Sequence, residues 1–316
     1  MGGLDGDLDP GCLTDVPSRQ VAALPSFDSD GDDMTSPIKL AERLGVATLL
    51  LAAIAAIGGL LVPDLYRDTV GGIRQARATD LVTLLVAVPA LALGLWRARA
   101  GSVGGRIVAL AALGYLAYSY AIYAFAVVIN PLTPVHIAVL GLATWSLVLT
   151  VFGTDDATLV RASSLRFPRR TTGGFLVAVA GLFAMLWLSQ IAGAITSGVL
   201  PAAVSDLGLP TSPVYSLDLA FAVPLITLAG VWLIRRDRRG SAGAAAGLAF
   251  LFILGLSVLA IFGFEAAAGT AVEVPPIAIF GTVTAAAGVL LMVGLGGSAP
   301  AIHTGAAEPL LTASAP

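Results

Sequence analysis

LVPDLYRDTVGGIRQARATDL, from Leu61 to Leu81, returns in altered form as VLPAAVSDLGLPTSPVYSLDL, from Val199 to Leu219. Pro63 matches Pro201, Asp68 matches Asp206, Asp80 matches Asp218 and Leu81 matches Leu219, all at an offset of 138 residues. Beyond the next apolar run, RARAGSVG (Arg97 to Gly104) faces RDRRGSAG (Arg236 to Gly243) at an offset of 139. IAVLG (Ile137 to Gly141) then faces IAIFG (Ile277 to Gly281) at an offset of 140. An offset that drifts by single residues over three separated segments points to tandem duplication of one hydrophobic unit.

The units lie in a chain of 316 residues that is 57% hydrophobic and 12% charged, with a mean hydropathy of +0.91. A soluble chain of this length carries far more charge, so the composition selects the membrane class. Cys12 is the single cysteine, which excludes an intrachain disulfide and a thiolate metal site. His136 and His303 are too far apart in sequence to suggest zinc. The formal charge of −3 is segregated by segment, and nothing in it implies a nucleic-acid partner or a cofactor.

Residues 1–38 are polar and hold eight aspartates, which reads as a disordered, acidic cytoplasmic tail. DSDGDD (Asp28 to Asp33) lacks calcium-loop spacing, because its glycine comes too early and Lys39 stands where the closing glutamate belongs. A basic start and an early apolar core are missing, so the segment is not read as a signal peptide. Met34 stands directly before TSPIKLAERLG and the first apolar run. Residues 1–33 therefore read as dispensable for folding.

Eight apolar runs follow, at about 42–62, 81–97, 107–129, 134–153, 174–199, 217–235, 243–264 and 275–296. Each approaches the ~20 residues that a ~30 Å hydrocarbon core requires of a helix. The runs are continuous rather than alternating, which excludes a membrane β-barrel. The expected fold is all-α: a multi-pass cell-membrane protein built as two parallel four-helix repeats. They occupy residues 39–153 and 174–297, with a basic linker at 154–173 and a disordered tail at 298–316. Fourteen of the seventeen basic residues fall in the tail or in alternate turns, the exceptions being Arg67, Arg74 and Arg77. The positive-inside rule then places both termini in the cytoplasm. Four helices per unit give both copies one orientation, so a pseudo-axis along the membrane normal is expected, as in parallel-repeat transporters.

Polar residues gather toward the expected outer side. Asp80 and Asp218 are the leading pair, read as the first residues of inward-running helices. Each suits an N-cap there, or both face a shared vestibule that binds a cation, proton or amine. Arg74 and Arg77 precede Asp80 in a loop that is basic only in the first unit. They read as an interfacial loop, or as an anion-attracting lip. In YLAYSYAIYAF, Tyr115, Ser119 and Tyr123, continued by Asn130, fall on one helical stripe, with Tyr118 beside them. A hydroxyl at membrane depth needs a partner, so this stripe faces other helices or a cavity. Gln190 lies in the outer third of the fifth run, and His136 opens the fourth. No catalytic triad, metalloprotease, Walker or dinucleotide pattern is present.

YRDT (Tyr66 to Thr69), QARATDLVTLLVAVP (Gln75 to Pro89), YLAYSYAIYAF (Tyr115 to Phe125) with Asn130–Pro131, and TSPVYSLDLAFAVP (Thr211 to Pro224) carry a resemblance. Over about two-thirds of its length the chain resembles a family of uncharacterised bacterial polytopic integral membrane proteins. That resemblance implies no activity. The Ala- and Arg-rich, Lys-poor composition resembles that of high-GC actinobacterial proteins. The expected function is a transporter-like protein that holds a small solute or lipid in an outward-facing cavity between the halves. The alternatives are a membrane sensor or assembly scaffold, and a membrane-embedded enzyme. The sequence leaves the oligomeric state open.

Overall fold

The computed structural model describes residues 36–163 and 165–296, together with Gly2. Of the two expected tails, 1–38 and 298–316, only Gly2 and residues 36–38 are described, and there Ser36 caps a helix that already begins at Pro37. Eight helices long and apolar enough to cross a membrane follow one another: α1 (Pro37–Leu61), α2 (Val70–Arg99), α3 (Val103–Ala126), α4 (Thr133–Phe152), α5 (Arg169–Ser197), α6 (Pro213–Ile234), α7 (Gly240–Ala267) and α8 (Val274–Gly296). There is no strand among the described residues.

Local chemistry sets the helix starts. Ser36, Thr69 and Ser102 cap α1, α2 and α3, each accepting from the backbone N–H three residues on. Pro37, Pro134 and Pro213 sit in the first turns of α1, α4 and α6, where a missing N–H costs nothing. Gly198 ends α5 in the left-handed conformation, with φ of 68°.

Three boundary differences move candidate residues. Helix α2 begins at Val70, so Arg74, Arg77 and Asp80 lie inside a helix and not in a loop before one. Helix α6 begins at Pro213, five residues before Asp218. Neither aspartate is therefore an N-cap. Helix α3 ends at Ala126, which leaves Asn130 in the following turn and off the tyrosine stripe.

Helices α2 and α6 each widen into a π turn, at Thr83–Ala87 and Asp218–Ala222. The cause lies two residues further on, at Pro89 and Pro224. Proline has no N–H to donate and its ring clashes with the carbonyl four residues back. The turn instead closes through the Val88 N–H to Thr83 O and the Val223 N–H to Asp218 O, five residues back. The helix continues across the widening and keeps a spanning length.

One apolar core gathers α1 to α4, centred on Leu91, Tyr115, Leu116 and Val139. The other gathers α5 to α8 around Leu176, Leu233 and Leu248. The central helices join them: α7 sends Ile253 into the first core and α3 sends Ile107 into the second. Small residues let backbones meet, as hydrocarbon solvent favours. A Cβ on Gly94 would stand 2.6 Å from Ala109 N, and one on Gly230 would stand 2.7 Å from Gly173 O.

Candidate functional site

Two buried carboxylates stand within the spanning helices, in different surroundings. Asp80, 1% exposed, accepts from the Tyr66 hydroxyl at 2.6 Å and the Tyr123 hydroxyl at 2.8 Å. Tyr123 also lies 2.7 Å from the Ala76 carbonyl, so one proton is shared between two acceptors. Gly59 allows this approach, because a Cβ there would run into the Asp80 carboxylate and the Tyr66 hydroxyl. Burial, with the Asp80 carboxylate beside it, raises the pKa of the Tyr66 phenol in its loop, so Tyr66 remains a donor. The ring of His136 packs against Tyr123 and Tyr120, with centroids 4.8 and 5.7 Å away. Both of its nitrogens are buried without a hydrogen-bond partner.

Asp218, 8% exposed, accepts from the Tyr118 hydroxyl at 2.9 Å and from the Trp187 indole N–H at 2.7 Å. It opens onto a cavity of about 380 Å³. The wall draws on α2 and α3 (Thr79, Tyr118) and on α5 to α8 (Trp187, Asp218, Ser257, Phe280). The loop ends Asp68, Val127, Leu209 and Ser212 also line it, at the end of the bundle that holds few basic residues. Aromatic rings dominate one side: Trp187 stacks on Tyr215 at 5.0 Å, and Phe183 lies 5.3 Å from Phe280.

The remaining expected residues divide. Ser119 and Tyr123 line the cavity. Tyr115 does not, but donates to the wall residue Ser257 at 3.3 Å and lies 3.5 Å from Thr83 Oγ1. Asp80 is not a lining residue, so the two carboxylates share no vestibule. Gln190 is half-buried on α5 and also lies off the wall. Asn130 closes its own turn, giving Nδ2–H to Val128 O and accepting the Leu132 N–H. Arg74 ties α2 to the end of α7, through Glu265 at 2.7 Å and Thr270 at 2.8 Å. Arg77 Nε is buried with no hydrogen-bond partner.

Sequence reasoning missed Trp187, Tyr215 and Ser257 as site residues. A usable signal existed for the first, because an indole N–H at membrane depth demands an acceptor. For the second, the Tyr215–Asp218 spacing of three puts both on one helical face. Among the described residues, no group of three or more His, Cys, Asp and Glu is placed to hold a metal ion. What the arrangement can do chemically is hold a small molecule, with one carboxylate deep in an apolar recess. No family model, curated protein or solved structure matches this chain.

Proposed function

We propose that this is a transporter-like protein of the cell membrane, binding a small solute or lipid in an outward-facing cavity between two four-helix halves. The cavity beside Asp218 is the observation that carries the reading. It has the size and the mostly apolar, few-polar lining of a small-molecule site. The positive-inside rule supports the outward direction, since the cavity opens at the end that holds only Arg67, Arg74 and Arg77 of the seventeen basic residues. The sequence offsets, together with π turns and prolines in both α2 and α6, support descent from a parallel tandem duplication. A sensor or scaffold needs no such recess. In it, the tyrosine stripe would be fully satisfied inside a closed bundle. All four tyrosine hydroxyls of α3 are hydrogen-bonded here, but the bundle is not closed, because Tyr118, Ser119 and Tyr123 stand on a cavity wall.

Native mass spectrometry of the protein released from mild detergent tests occupancy. Wild type is expected to carry a co-purifying small molecule or lipid. Ala222→Phe, which fills the cavity from the π turn beside Asp218, is expected to lose it. A bare wild-type protein, or an adduct indifferent to Ala222→Phe, would sink the reading.

A further inference from the structure

Every charged group on the cavity wall has the same sign. Asp68 and Asp218 line it, and no Lys, Arg or His does. Tyr118 and Trp187 hold both oxygens of Asp218, yet both are neutral donors. They orient the carboxylate without cancelling its charge. The Arg74–Glu265, Arg99–Glu42 and Arg238–Asp156 ion pairs all lie off the cavity wall. Nearer the loops, Asp68 Oδ1 accepts the Val128 N–H at 3.0 Å, while Oδ2 is buried with no hydrogen-bond partner. An ionisable group at membrane depth is a functional-site candidate, and Asp218, unlike Asp80, faces a cavity with no counter-ion on its wall.

The wall also says what kind of cation. Calcium and magnesium demand six or more oxygen ligands, and the surroundings of Asp218 are rings and aliphatic chains. Trp187 and Tyr215 are stacked, and Tyr118 meets Phe250 edge-on at 5.9 Å. Aromatic faces attract a weakly hydrated ammonium. An apolar body attached to that ammonium finds the rest of the wall, including Phe183, Leu254 and Ile261.

We propose that the cavity binds an apolar amine or quaternary ammonium compound, with its cationic nitrogen at Asp218 among Trp187, Tyr215 and Tyr118. This rests on the cavity reading above and adds the charge of the occupant. Asp80 takes no part, because Tyr66 and Tyr123 occupy its oxygens and it stands behind the wall residue Tyr123 without lining the cavity itself.

Thermal unfolding of the full chain in lipid nanodiscs provides the test. The probes are benzyltrimethylammonium and its neutral isostere neopentylbenzene. The ammonium is expected to raise Tm saturably, with an apparent affinity about tenfold better than the isostere. Asp218→Asn is expected to keep a cooperative transition and lose that preference. Should Asp218→Asn fail to fold, Asp68→Asn serves, with an expected several-fold loss of ammonium affinity. Equal or better stabilisation by neopentylbenzene overturns the ammonium assignment and leaves the cavity reading standing. No shift with either probe also overturns the assignment, and the cavity reading is then judged by its own Ala222→Phe comparison.

Discussion

Asp80 shows how a carboxylate is kept inside a membrane helix without an ion pair. Two phenols donate to it, and the space it occupies exists because position 59 has no side chain. Gly59 and Asp80 are thus one unit. Gly59→Ala is expected to destabilise wild type by about 1–3 kcal/mol, the scale of overpacking in a close-fitted interior. In an Asp80→Ala background the same change is expected to cost far less, because the added methyl finds the vacated carboxylate volume. A double-mutant cycle by detergent unfolding measures the coupling, and additive effects would remove the proposed contact. Asp80 and Asp218 look like counterparts in sequence, but their surroundings differ. Relative to the π turns, Asp218 is the first residue of its turn, while Asp80 lies three residues before Thr83. A match of letters at one offset cannot reveal that shift, because it is the backbone widening before proline that defines the structural register.

At the scale of elements, α2 is the instructive case. Its apolar run is legible, since a spanning backbone must satisfy itself over a long uncharged stretch. Its first three turns are not, because Arg74, Gln75 and Arg77 read as loop and Asp80 as the start of the helix. They are helical because their partners come from distant parts of the chain: Glu265 for Arg74, and Tyr66 and Tyr123 for Asp80. The Arg74–Glu265 bridge is partly exposed, at 27% and 18% of the two side chains. Glu265→Gln is therefore expected to cost no more than about 1 kcal/mol, with the difference shrinking as salt rises. Unfolding of both proteins at low and high ionic strength checks it. A large, salt-independent loss would mean that the bridge is sheltered from solvent.

The whole molecule was the easiest scale to read ahead of the structure. Eight apolar runs became eight spanning-length helices, with ends within several residues of expectation apart from the start of α2. A cavity was expected and four of its lining residues were named, but the aromatic wall of Trp187 and Tyr215 was not legible, since it depends on how α5, α6 and α7 sit against α3. Reporter fusions after Arg170 and after Arg239 are expected to behave as cytoplasmic, and one at Asp206 as external. An external signal after Arg239 would reverse the orientation. The two π turns carry a further consequence. The first opens with Thr83, a neutral hydroxyl beside Tyr115 and behind Ser257, whereas the second opens with Asp218. Only one of two similar bends therefore presents a charge to a hollow. A titration should accordingly saturate at one molecule per chain, however alike the halves are in outline, and in an assembly of several chains the stoichiometry would count subunits, not bends.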